Sequence, residues 1–174
     1  MAGREIRLSR VPPGTSPNIL SLVTTAAQTF QKGAIVVLAS NKISEAGSTP
    51  TTGIVGVTLE AAFTEPGNSL ANTSQLATGS PIGGRPNDVK VAINDRTQVF
   101  SGRMVNGGTD PVTPAQTDVG AKYGLAKDSN GIWYVNQADT TNLAVIVIDI
   151  EQQTYNAAPA VVYFKFINAS PLSN

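Results

Sequence analysis

Short apolar runs recur along the whole chain and are separated by breaks rich in Gly, Pro, Asn and Thr. The runs are dominated by Val, Ile, Thr, Tyr and Phe, which are the residue types that favour extended backbone. This pattern is typical of many short strands in a β-sandwich or barrel. The predicted strands are Leu20–Thr24, Ala34–Ala39, Gly53–Glu60, Val89–Ile93, Gln98–Val105, Tyr123–Ala126, Ile132–Asn136, Leu143–Glu151 and Val161–Asn168.

Two of these runs also indicate how their strands are buried. Leu143–Ile148 is apolar on both faces, which predicts a central strand covered on both sides. Between Val162 and Phe166 apolar residues alternate with Tyr163 and Lys165, which predicts one dry and one wetter face. The fold class is therefore all-β, a single antiparallel β-sandwich or barrel-like domain.

Residues 1–18 form a segment of different composition, with three arginines followed by Pro12, Pro13, Gly14 and Pro17. We interpret it as an extended N-terminal arm ahead of a β-rich domain that spans residues 19–174. An extended segment with an aliphatic stripe can add a strand to the open sheet edge of a neighbour, and arginines can hold its carboxylates. The alternative is a disordered N-terminus. The predicted partner-binding residues are Arg4, Ile6, Arg7, Leu8 and Arg10.

Residues 61–88 contain several prolines and glycines and are longer than an ordinary connection. We interpret this stretch as a long irregular loop. Asn106–Gly108 and Asp128–Gly131 are predicted hairpin turns, because Asn, Asp and Gly tolerate positive φ.

Composition removes most familiar catalytic chemistry. The 174-residue chain has no histidine and no cysteine, which excludes Ser/His/Asp and Cys/His nucleophiles, zinc fingers and disulfides. Charged residues are only 14% of the chain and the formal net charge is zero, so no basic field favours nucleic acid or an anionic membrane. We predict a non-enzymatic protein with no cofactor, no metal and no small-molecule substrate.

The N-terminus has no apolar signal-peptide core, and the longest apolar run is too short to span a bilayer. We therefore expect synthesis as a soluble chain in the cytoplasm.

Some polar motifs have alternative interpretations. Asp128–Gly131 resembles the start of a calcium loop, but Ile132 stands at a ligand position, so a turn is favoured. Asn94–Arg96 is more consistent with an Asx-turn than with a ligand site. A hydrolytic carboxylate pair is disfavoured relative to solvated turn residues or intersubunit ion pairs. The carboxylates considered for such a pair are Glu60, Glu65, Asp88 and Asp95.

Trp133 and Tyr134 are adjacent, so on a strand they point to opposite faces. Packing in a core or interface is favoured over stacking on a sugar ring.

Several segments together resemble the small decoration, or cement, proteins that coat tailed-phage capsids. The resemblance covers residues 30–150 and rests on turn glycines and apolar strands. The segments are Phe30–Val37, Gly53–Val57, Val119–Leu125, Gly131–Val135, Asp139 and Leu143–Asp149.

The resemblance implies a β-barrel or sandwich that sits as a homotrimer on the capsid exterior and reinforces the shell, with the major capsid protein as its partner. On this interpretation the chain would cement neighbouring subunits of the expanded shell. The alternative is a tail- or fibre-associated receptor-binding or polysaccharide-binding module that presents Trp133 or Tyr134.

Overall fold

A computed structural model describes residues 5–25, 28–62, 88–108, 110–151 and 160–172. These residues form β-strands and one 3-10 turn at Gln116–Asp118, with no α-helix, which confirms the all-β class. All nine predicted strands are present, with ends shifted by about two residues at most. The strands are β1 (Arg7–Arg10), β2 (Ile19–Val23), β3 (Ile35–Ala39), β4 (Lys42–Glu45), β5 (Ile54–Thr58), β6 (Asp88–Ile93), β7 (Val99–Asn106), β8 (Asp110–Pro111), β9 (Lys122–Lys127), β10 (Trp133–Asn136), β11 (Val145–Ile150) and β12 (Val161–Phe166).

The first sheet closes into a five-stranded barrel in the order β7-β10-β9-β11-β12, because β12 pairs back onto β7. The two short strands β1 and β8 also pair with β7. The prediction of a purely antiparallel arrangement is wrong at β7 and β10, which run parallel. Side chains alternate between faces in both kinds of pair, so the hydrophobic pattern carries no information on strand direction.

The second sheet has the order β2-β6-β5-β3-β4. An isolated bridge between Thr24 and Ile43 brings the end of β2 next to β4. Strand β4 was not among the predicted strands. It contains one strongly apolar residue, Ile43, and follows a tight hairpin in which Ser40 and Asn41 adopt positive φ without a glycine.

The core is continuous between the two sheets. One cluster of buried apolar residues includes Ile35 and Val55 from the second sheet together with residues of the barrel. Inside the barrel Phe100, Phe164 and Phe166 pack with ring centroids 5.1–6.1 Å apart, the distance range of favourable aromatic pairs. Burial of this cluster is the main contribution to the stability of the fold.

Polar contacts also link the two sheets. Glu45 of β4 accepts hydrogen bonds from the indole Nε1 of Trp133 at 3.0 Å and from Lys127 Nζ at 2.9 Å. Both donors lie on the β9–β10 hairpin of the barrel. This carboxylate therefore anchors the hairpin to the second sheet.

The predicted N-terminal arm contains a strand, but that strand belongs to the chain's own fold. β1 pairs antiparallel with β7, and Ile6 is 1% exposed within the core. A Cβ placed on Gly102 would lie 2.8 Å from Ile6 Cγ1, and one on Gly33 would lie 2.7 Å from the Ile6 carbonyl oxygen. Because these two glycines have no side chains, they leave the space that Ile6 occupies. Of the predicted loop 61–88, residues 63–87 lie outside the described residues.

The burial predictions for the last two long strands have different outcomes. In β12, Val162, Phe164 and Phe166 are buried while Tyr163 and Lys165 are half-buried, as the alternation predicts. Strand β11 lies between β9 and β12, but its second face is only half-buried at Ile146 and Ile148.

Candidate interaction surface

The predicted partner-binding residues lie in different environments. Ile6 is buried and Leu8 is partly buried against the core, so both pack within this chain. Arg7 and Arg10 are exposed, while Arg4 lies outside the described residues. The guanidinium of Arg10 stacks 4.3 Å from the centre of the Tyr163 ring and lies 3.7 Å from the Asp149 carboxylate. Arg7 is thus the exposed arginine of β1 that has no ion pair among the described residues.

A second surface lies at the end of the second sheet, where β6 is the one described strand that pairs with β2. The Ile93 amide donates to the Asn18 carbonyl at 2.8 Å. In an antiparallel ladder the backbone groups alternate in direction, so those of Leu20 and Leu22 also face β6. The N–H and C=O groups of Ile19 and Ser21 point the other way and have no partner among the described residues.

The side chains along this edge are unusually apolar for an uncovered surface. Ile19 is 41% exposed and Leu20 is 40% exposed, and Leu38 of the neighbouring hairpin is 37% exposed. A groove of about 140 Å³ separates β2 from that hairpin. We call this surface the open seam; it consists of the outer edge of Ile19–Val23 and the groove residues Leu38, Asn41, Lys42, Ile43 and Leu172.

The strand register shows why the open seam is apolar. Leu20 lies opposite Val91, and Leu38 lies opposite Ile43; both of these partners are buried in the core. Residues directly opposite each other share a face of the sheet. Leu20 and Leu38 therefore point to the core side, and they remain exposed because no strand of the described chain covers them.

The open seam is not predictable from the sequence of β2. The composition of β2 predicts a strand, but the periodicity of one strand does not encode strand order, which decides which strand lies at an edge. The available signal was the density of apolar residues in Ile19–Val23, with only Ser21 polar.

The adjacent aromatic residues are not surface residues. Trp133 is 1% exposed in the main core, and Tyr134 is 3% exposed in a separate small cluster with Val105 and Ala126. The two side chains occupy opposite faces of β10, and packing is their role here. Neither ring is available to stack on a sugar.

Among the described carboxylates the most enclosed is Asp118, at the 3-10 turn before β9. It accepts hydrogen bonds from Tyr123 Oη at 2.6 Å, from Gln137 Nε2 at 3.0 Å and from the Ala115 amide at 2.7 Å. Burial raises its pKa, but these three hydrogen bonds outweigh burial and hold the pKa below the ordinary value. Burial and the adjacent carboxylate raise the pKa of Tyr123 to about 12. The cluster fixes the turn against the barrel.

A second charged cluster lies at the β9–β10 turn. Asp128 forms an ion pair with Arg103, and its Oδ1 accepts the amides of Asn130 and Ile132, both at 2.9 Å. Burial raises the pKa of Asp128, but its hydrogen bonds and the charge of Arg103 outweigh burial, so the pKa lies below the ordinary value. This is the predicted turn, and its carboxylate is used by the turn's own backbone.

Two of the other carboxylates considered for chemistry have similar structural roles, whereas Asp88 begins β6 and its buried Oδ1 has no hydrogen-bond partner among the described residues. Asp95 accepts the amides of Thr97 at 2.9 Å and Gln98 at 3.1 Å, which is the predicted Asx-turn. Glu60 accepts the Lys90 amide at 2.7 Å. Glu65 lies outside the described residues. The described part of the chain contains no group of three side chains that could hold a metal ion.

No protein-family model matches the chain, and no curated protein sequence is significantly similar to it. Among the described residues no helix is both long and apolar enough to cross a membrane.

Proposed function

We propose that this chain is a structural virion protein that binds the exterior of a tailed-phage capsid and cements neighbouring subunits of the expanded shell. The observation that carries the proposal is the open seam, a sheet edge that is apolar and partly unpaired among the described residues, next to a well-packed core. Contiguous exposed apolar surface on a folded domain marks a site of association. The function proposed is therefore binding, with no catalytic step.

The segments that resemble cement proteins support the same proposal. Phe30–Val37 leads into and includes most of β3, and Gly53–Val57 covers most of β5. The remaining segments include most of β9, β10 and β11. The resemblance thus falls on strands of both sheets, the framework that holds the open seam and the exposed arginine of β1.

The proposed mechanism uses association alone. Expansion of the shell exposes junctions between capsid subunits, and the chain binds at these junctions as a homotrimer. Because only the expanded shell offers the site, bound copies stabilise that state by mass action. The major capsid protein is the proposed partner, and Arg7 is available to pair with its carboxylates.

The test is the copy number of this chain in purified virions of the phage that encodes it, measured against the major shell subunit by quantitative peptide mass spectrometry. We expect a copy number comparable with that of the shell subunit. A few tens of copies would assign the chain to the tail or a fibre, and absence from the particle would refute a virion role.

A further inference from the structure

Among the described residues, the two end strands of the second sheet, β2 and β4, meet at only one point. β2 and β4 meet at the Thr24–Ile43 bridge, where the Thr25 amide donates to the Ile43 carbonyl at 2.8 Å. Away from that bridge no pairing joins the two strands, and the open seam lies between them. The core-facing leucines Leu20 and Leu38 are exposed there, because no described strand covers them.

We propose that the open seam binds one extended segment of a partner protein by strand addition to β2. The outward N–H and C=O groups of Ile19 and Ser21 supply the hydrogen bonds, as in other complexes in which a peptide extends a sheet. Alternate apolar side chains of the segment cover Leu20 and Leu38. The partner segment is therefore an extended peptide with apolar residues at every second position.

The charge of Lys42 indicates a further feature of the partner segment. Lys42 lines the groove, is exposed, and has no ion pair among the described residues. An acidic residue at the end of the segment would meet this ammonium group. A second copy of the chain fits this description poorly, because its apolar edge strand, β2, contains no acidic residue to meet Lys42.

The inference rests on the proposed function in one respect: the segment is assigned to the shell subunit. The chemistry of the open seam does not depend on that assignment. It is tested with the isolated full-length chain and a synthetic probe, whereas the proposed function is tested on virions.

The probe is a fluorescent peptide of about seven residues in which valine and threonine alternate, with aspartate at each end. Binding is measured by fluorescence anisotropy. Ser21→Pro removes an outward N–H without removing a bond to β6, so the fold is retained and edge pairing is blocked. We expect this variant to bind about tenfold more weakly, whereas Ser48→Pro, in an exposed loop, binds like the unmodified chain.

Two further variants keep the test decisive if the proline variant does not fold. Leu20→Lys places a charge on the apolar edge and should also abolish most binding. Lys42→Gln should weaken binding about two- to fivefold, while Lys122→Gln on the barrel should leave it unchanged. Amide exchange by NMR supplies the specific signature: the Ser21 amide should become protected when the probe binds.

Absence of probe binding to the unmodified chain would overturn the inference, as would a Ser21 amide that exchanges equally fast in the bound form. Self-association of the chain that Ser21→Pro abolishes would identify a second copy as the occupant, which also contradicts it. If the chain is abundant in virions but the probe does not bind, the proposed function stands and the strand-addition site falls.

Discussion

At the level of single residues, the buried carboxylate of Asp118 shows how an ionisable side chain can stabilise a turn. Asp118 is 5% exposed and accepts three hydrogen bonds, from a tyrosine, a glutamine and a backbone amide. Each donor would lose a partner if the carboxylate were removed, and unsatisfied buried donors destabilise the folded state. The carboxylate therefore stabilises the turn only while it is present and charged.

The pH dependence of Asp118 follows from its lowered pKa. The contribution is fully present above the unfolded value of about 4 and is lost as the pH falls through the lower folded value. We expect Asp118→Asn to reduce the free energy of unfolding by about 1–3 kcal/mol at neutral pH. The difference from the unmodified chain should shrink below about pH 4.

Urea unfolding of both proteins at several pH values measures this difference. The other carboxylates with lowered pKa are present in both proteins, so the comparison isolates Asp118. A gap between the two proteins that stays constant down to strongly acidic pH would contradict the assignment.

At the level of elements, strand β1 illustrates where sequence and structure diverge. The pattern of Ile6 and Leu8 between arginines predicted an extended strand, and the strand exists. Its place beside β7 requires the space that Gly33 and Gly102 leave for Ile6. These two glycines are distant in sequence from the strand and from each other. The sequence of the arm alone could not distinguish its own sheet from a neighbour's.

The same reasoning explains the other outcomes. Nine strands were predictable because each depends on local composition and alternation. β4 was not predictable, because the turn before it contains no glycine and Ile43 is the one strongly apolar residue of the strand. That turn uses Ser40 and Asn41. The open seam depends on strand order, which is set by contacts between β2 and β6 that are far apart in the chain.

Deletion of β1 is the corresponding prediction. Removing residues 1–10 should lower the free energy of unfolding by about 2–5 kcal/mol, because Ile6 leaves a cavity between two glycines that cannot fill it. Removing residues 1–4 leaves Ile6 and β1 in place and is the matched control. Thermal and urea unfolding of both truncations measure this. If the longer truncation were as stable as the full chain, the packing of Ile6 would not matter to the fold.

At the scale of the whole molecule, the described residues combine two sheets with one continuous core and an apolar edge, the open seam. Glu45 hydrogen-bonds the second sheet to the β9–β10 hairpin, and one core joins the two sheets, so the open seam lies on a single packed body. A rigid surface loses little conformational entropy on binding, which favours affinity. Under the proposed capsid function, this low entropy cost would favour reinforcement of the shell by the bound chain.

The last prediction concerns that reinforcement. If the chain binds only the expanded shell, its disruption temperature should rise with the concentration of added chain and level off once the sites are filled. At about a hundred times Kd, each site contributes about 2.7 kcal/mol to the expanded state. Scanning calorimetry of undecorated expanded shells titrated with the chain measures the rise, and unexpanded shells are the control. An equal rise for both forms would show that binding does not select the expanded state, and the cementing mechanism would then be wrong.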